Sequence, residues 1–131
     1  MGNIEYKTAF DRIILPIAHQ FKPDLIVVAS GFDAAAADII GEYILTPDMY
    51  AYMTHKLKGV ESAKERVLLV LEGGYNPRAI GQCFSACLEA LLYDKEREVD
   101  TTGIPCKRAA QSIRQVIKTQ SKYWDLQGDK L

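Results

Sequence analysis

The sequence is poor in the residue types that build metal clusters, disulfide frameworks and membrane spans. It holds only two histidines, His19 and His55, never side by side, and three cysteines, Cys83, Cys87 and Cys106. An odd cysteine count with no secretory signal argues for reduced thiols in the cytosol or nucleus. Cys83 and Cys87 stand four apart on an expected helix face, but structural zinc needs four Cys or His ligands and none cluster nearby, so both are expected in the core. Charge of one sign is also lacking. Sixteen Lys and Arg against 17 Asp and Glu leave a net charge of −1, so no overall field favours direct binding of nucleic acid or of an anionic membrane. The longest apolar runs, Leu25 to Ala29 and Val67 to Leu71, fall far short of the roughly 20 residues that cross a bilayer. The start lacks the basic-then-apolar pattern of a signal peptide. A soluble protein of the nucleus or cytoplasm is expected. There is no internal repeat and no low-complexity tract.

What is present suits one α/β domain: 131 residues, 48% of them hydrophobic, can bury a sizeable core. From Glu5 to Phe21, residues Tyr6, Ala9, Phe10, Ile13, Ile14 and Ile17 recur at helical spacing, with a kink or break expected at Pro16. After the turn Lys22-Pro23-Asp24, the unbroken run Leu25 to Ala29 predicts a strand covered on both faces, as in a parallel sheet. Thr46-Pro47-Asp48 reads as a capped helix start, and Met49 or Tyr50, Met53 and Leu57 mark its buried face up to Gly59. A second strand is predicted over Val67 to Leu71, so the order strand, helix, strand builds a parallel unit. Asn76-Pro77 opens another helix with the face Ile80, Phe84, Cys87, Leu88 and Leu91. Residues 94–104 read as an exposed linker. A final helix is expected over 105–124, anchored by Ile113, Val116, Ile117 and Trp124. A third short strand near the N-terminus is also compatible with the pattern.

In open parallel sheets, ligands gather beyond the carboxyl ends of the strands. Two irregular segments leave such ends here, Ser30-Gly31-Phe32-Asp33 and Glu72-Gly73-Gly74-Tyr75. If the strands are near neighbours, Asp33 and Tyr75 face one crevice. A carboxylate there can bind a metal, a tyrosine hydroxyl can donate to an oxyanion, and paired glycines admit a narrow substrate. The plainer alternative stands beside this: a strand-end Asp often caps a turn, and Gly-Gly-Tyr often makes a tight bend with a packed ring.

The string Pro23 to Ala34, PDLIVVASGFDA, resembles the histone deacetylase segment that supplies the last protein ligand of the zinc ion, and Leu71 to Asn76, LEGGYN, is similar to the segment carrying that family's catalytic tyrosine. Ile40-Gly41 and Thr46-Pro47 follow the family's order and spacing. Tyr52 to His55, Glu5 to Phe10, Pro16 to His19 and Gln120 to Trp124 resemble the class II branch, most closely its fungal type. The resemblance covers nearly the whole chain. It implies a fragment of an arginase/deacetylase-like parallel sheet flanked by helices, from the C-terminal portion of a class II deacetylase domain. It further implies Zn2+ as cofactor, Asp33 as a metal ligand, Tyr75 as the catalytic residue that polarises the acetyl carbonyl, and Ile40, Gly73 and Gly74 as lining of the acetyl-lysine channel. Tyr75 differs from the His of the vertebrate class IIa enzymes, which are weak deacetylases. The implied substrates are acetylated lysines of histones or other proteins, with a corepressor complex among the implied partners.

Two departures from the family pattern bear on the site. Ala37 stands where the family has Gly in its Gly-Asp-Pro segment and Ile39 replaces the Pro, so a left-handed backbone at that Gly position would strain Ala37 by about 1 kcal/mol. More important, the family's Asp-x-His zinc ligands and His-His pair do not occur. One ligand is too few to hold zinc, and His19 and His55 lie on expected helices, in structural roles. Met1-Gly2 coincides with an internal Met-Gly of class II enzymes, so a truncated gene model or an isoform is expected, inactive alone. A non-catalytic scaffold fragment and an acetylpolyamine amidohydrolase are the alternatives.

Overall fold

Pro16 shapes the first helical stretch. A proline has no N–H to give to the carbonyl four residues back, and its ring crowds that carbonyl. In the computed structural model, which describes residues 1–93 and 96–126, the expected break takes the form of a π-helical turn, Phe10–Ile14, between α1 (Asn3–Ala9) and α2 (Leu15–Phe21). The stretch ends at Lys22, whose φ of 55° is left-handed and whose N–H closes on the Ala18 carbonyl at 3.1 Å. Pro23 then turns the chain into the sheet.

The strands β1 (Ile26–Ser30) and β2 (Val67–Leu71) pair in parallel, Ile26 opposite Val67 through Ser30 opposite Leu71, with α3 (Pro47–Lys58) between them in sequence. β1 begins one residue later than its apolar run, which leaves Leu25 outside the ladder and 54% exposed. The expectation of burial on both faces is corrected. Ile26, Val28 and Ser30 alternate with exposed Val27 and Ala29, and Val67 and Leu69 with exposed Leu68 and Val70. The inner face meets α3 and α4 (Pro77–Leu92), Leu69 packing on a core of Phe32, Met49, Tyr50, Cys83 and Cys87. Among the described residues the sheet has two strands, and nothing caps its outer face. In place of a third strand near the N-terminus there are isolated bridges, Gly2 with Ile44 and Ala35 with Leu45.

The buried stripe of α4 also differs from expectation. Ala79, Cys83, Ala86, Cys87 and Ala90 face inward, whereas Phe84 and Leu88 are 49% and 44% exposed. Small side chains let α4 approach α3 closely, and Ala51, Ala86 and Ala90 make that contact. Cys83 and Cys87 are buried, as expected of core residues, and burial pushes the Cys83 thiol up to about 11.

The last helix, α5, runs Lys107–Gln120, shorter than 105–124. Cys106 keeps an extended ψ of 152°, and the N–H groups of Tyr123 and Trp124 both turn back to the Gln120 carbonyl. Ile113 and Ile117 pack on Ile13 and Leu126 with Trp124 at the rim, while Val116, an expected anchor, is 42% exposed. The Glu5 carboxylate accepts from the N–H of Gly2 at 2.7 Å and of Cys106 at 3.0 Å, joining the starts of α1 and α5.

Part of the expected linker, residues 94 and 95, lies outside the described residues. In the rest of it, Val99 packs against the core and Arg97 pairs with Asp48 at 2.7 Å and with Glu89. No helix among the described residues is long and apolar enough to cross a membrane.

Candidate functional site at the carboxyl ends of the strands

The ladder between β1 and β2 continues past both strand ends. Glu72 donates to the Ser30 carbonyl and Phe32 to the Gly73 carbonyl, each at 3.1 Å. Phe32 turns inward, 1% exposed, with its ring 5.2 Å from that of Tyr50, and Asp33, in the turn that follows, is exposed at the mouth of the crevice. The loop beyond Asp33 is pinned by Ala36 donating to Leu45 and Leu45 to Ala34, both at 3.0 Å.

The second loop meets the Asp33 carboxylate through Gly73. A Cβ on Gly73 would lie 3.3 Å from Asp33 Oδ2, and the φ of 97° disfavours any side chain there. At Gly74, with φ 117°, a Cβ would come within 2.9 Å of Ile80 and 3.1 Å of Phe32. Both glycines are therefore required by the local geometry: they turn the chain tightly over Phe32 so that Tyr75 emerges beside the first loop, 51% exposed.

Two cross-links fix the loops to each other. Asp38 Oδ2 accepts the Tyr75 N–H at 2.7 Å, while its Oδ1 accepts those of Ile40 and Gly41, each at 2.9 Å. These bonds, from Gly41 and then Tyr75, hold the Asp38 carboxyl below the usual carboxylate range. Asn76 Nδ2 donates to the Ala37 carbonyl at 2.6 Å, and Asn76 Oδ1 caps α4 by accepting from Arg78 and Ala79. Asp38 was not singled out from the sequence. Ala37 escapes the strain considered for it, because it is not among the left-handed residues. Ile40 lies on the same loop, 64% exposed.

The geometry thus brings Asp33 against Gly73, and Tyr75 against the Ile40 segment. It does not bring the histidines there. His19 lies with Glu61, Ser62 and Lys64 around a surface pocket near the start of β2. His55 sits in the last turn of α3. Beside Asp33, a cavity of about 240 Å3 lined by Tyr6, Val28, Tyr50, Met53 and Thr54 runs inward. The Tyr50 hydroxyl is buried without a partner, and burial raises its pKa. Among the described residues there is no group of three or more His, Cys, Asp or Glu able to hold a metal ion. The described donors therefore do not make a zinc site by themselves.

The chain is similar in sequence and fold to known proteins. The chain is 44% identical over 124 residues to the histone deacetylase clr3 of Schizosaccharomyces pombe and 40% identical over 126 residues to the histone deacetylase HDA1 of Saccharomyces cerevisiae, in each case 95% of this chain and 18% of the relative. The polyamine deacetylase HDAC10 of Danio rerio is 38% identical, with the same coverage. The chain thus spans about a fifth of the length of the curated relatives it matches. The solved structure of Clr3 superposes with a TM-score of 0.88 at 43% identity, over 95% of this chain and 20% of that one. This assigns to the two-stranded parallel sheet and its helices the fold of a deacetylase domain. The histone deacetylase domain family matches residues 1–91, and with that span of matched sequence the chain belongs to the histone deacetylase family.

Proposed function

We propose that this chain supplies one wall of the active site of a zinc-dependent lysine deacetylase of the fungal class II type. The observation that carries the reading is the contact of the Asp33 carboxylate with Gly73 where two paired parallel strands end, with Tyr75 two residues further on and bonded through its N–H to the loop that follows Asp33. In a complete domain Asp33 is one zinc ligand, with the remaining ligands and the proton-transferring groups contributed from outside this chain. The chemistry of the chain's own residues is that of Tyr75, whose hydroxyl donates a hydrogen bond to the oxygen of the acetyl carbonyl as charge develops on it. Gly73, Gly74 and Ile40 line the channel that admits the acetylated side chain, and the products are acetate and a free lysine. Acetylated histones or other proteins are the substrates, met in the nucleus or the cytoplasm, with a corepressor complex as the assembly in which such a domain works. By itself the segment, with no group of three metal donors among its described residues, is expected to be inactive.

Two other readings have observations behind them. Similarity to a polyamine deacetylase favours an acetylated polyamine as substrate, and the lack, among the described residues, of a group of three or more metal donors favours a fragment kept as a scaffold. The test is a complete domain made by exchanging the matching segment of Clr3 for this chain. Turnover of an acetyl-lysine peptide well above that of an acetylated polyamine is expected. The reverse preference would establish the polyamine reading, and an inactive, zinc-free exchange protein would support the scaffold.

A further inference from the structure

The Asp38 carboxylate bonds both loops at once. Oδ1 gathers the N–H groups of Ile40 and Gly41 at 2.9 Å, and Oδ2 takes the N–H of Tyr75 at 2.7 Å. Hydrogen bonds to an ionised acceptor are the stronger kind. The neighbouring bond from Asn76 Nδ2 to the Ala37 carbonyl, at 2.6 Å, runs between the same loops in the opposite sense, and Asn76 is also the N-cap of α4. The backbone on either side of this junction is closely packed. Gly41 backs onto the Asp33 carbonyl so tightly that a Cβ would fall 1.7 Å from that oxygen, and Gly74 is wedged between Phe32 and Ile80. Tyr75 is therefore attached to the loop of Asp33 and Ile40 by one carboxylate and one amide, with little room to shift without breaking them.

We propose that Asp38 is a positioning residue, which sets the Tyr75 main chain, and through it the phenol, relative to Asp33 and the Ile40 wall. The proposal rests on the reading of Tyr75 as the oxyanion donor. Asp38 touches neither metal nor substrate. Its effect on turnover passes through Tyr75, because a donor displaced by about 1 Å costs on the order of a hundredfold. The Asp33 carboxylate lies against Gly31 and Gly73, where an added Cβ would meet its oxygens at 3.2 and 3.3 Å, whereas Asp38 bonds the main-chain N–H groups of Ile40, Gly41 and Tyr75, so metal content is expected to change far less than turnover.

The experiment uses the complete domain obtained by segment exchange with Clr3. Asp38→Asn keeps the shape but leaves one oxygen, which cannot serve both loops. It is expected to lower kcat on an acetyl-lysine peptide by about tenfold or more, with KM and zinc content within about twofold of the parent. Hydrogen exchange of the segment holding Tyr75 is expected to accelerate by about tenfold or more, as one charge-assisted bond is lost. The deciding comparison is made in a Tyr75→Phe background, where Asp38→Asn should lower the residual turnover by less than about twofold more. An equal loss in both backgrounds, or unchanged exchange at Tyr75, would overturn the proposal and leave Asp38 a merely structural residue. Should Asp38→Asn fail to fold, Asn76→Ser removes the bond to Ala37 while retaining a capping oxygen, and the same pattern is expected; unchanged kcat in that variant would likewise count against the junction. Near-normal turnover in Tyr75→Phe alone would refute the role of Tyr75, while the exchange readout would still report whether Asp38 holds the loop.

Discussion

The residues after each strand show how much one step along the chain decides. Phe32 goes into the core and Asp33, in the turn that follows, is exposed, while Gly73 and Gly74 adopt backbone angles that other residues avoid. Gly74→Ala combines a left-handed φ with a Cβ 2.9 Å from Ile80. It is expected to cost at least about 1–2 kcal/mol, read as a lower denaturant midpoint with an unchanged slope. Asp33→Ala in a complete domain is expected to weaken zinc binding sharply together with activity, because a three-ligand site falls to two; zinc retained in full after dialysis would remove Asp33 from the ligand set. Asp38 carries a pH signature. Its carboxyl sits below the ordinary value of 3.8 in the folded chain, so the folded form binds fewer protons than the unfolded one. The stabilisation is present above the unfolded value and is lost as pH falls through the folded one. Acid titration of stability should therefore show a steeper loss in the parent than in Asp38→Asn, and identical acid limbs would contradict the bonds described. The placement of Asp33, Tyr75 and the two glycines just beyond the strand ends was legible in the sequence, because two apolar runs end there. Asp38 was not, since its partners are main-chain N–H groups, one of them 37 residues away, and every non-proline residue has an N–H.

At the scale of elements, the order of strands and helices was readable from periodicity, and the faces were less so. The run Val67 to Leu71 is apolar at every position, which announces a strand without telling which side is covered. In α4 the expected face was Ile80, Phe84, Cys87, Leu88 and Leu91; Cys87 is buried and Ile80 packs on the core, yet the rest of the inward stripe is Ala79, Cys83, Ala86 and Ala90, because a close helix pair selects for smallness. Enlarging that stripe tests this: Ala86→Leu, at a site 2% exposed, should destabilise by about 1–3 kcal/mol through overpacking, whereas Leu88→Ala on the outward side should change stability far less. A reversed ranking in denaturation experiments would show that the α3–α4 contact has been misread. Pro16 and Asn76 acted as their chemistry dictates, one opening a π turn and the other capping α4. Thr46 did not cap through its side chain; its hydroxyl instead accepts a bond from Asn3 at 3.0 Å, a contact across 43 residues that local pattern cannot foresee.

For the molecule as a whole, the outer face of the sheet is the telling feature. Val27 and Leu68 are 59% and 52% exposed, next to Val70 at 42%, and among the described residues each strand has one partner. A two-stranded sheet with an apolar outer face invites further pairing and packing. Residues 1–131 expressed alone are expected to self-associate, to bind zinc no better than an ordinary surface carboxylate does, and to show no acetyl-lysine turnover; a monodisperse, zinc-loaded, active monomer would overturn this. The central claim is that these two loops form a working wall of a deacetylase site, and the most direct test is the turnover and zinc content of the complete exchange domain with and without Tyr75→Phe. Zinc content should be unchanged and turnover should fall by about two to three orders of magnitude, as for one lost oxyanion donor; turnover close to that of the parent would contradict the account.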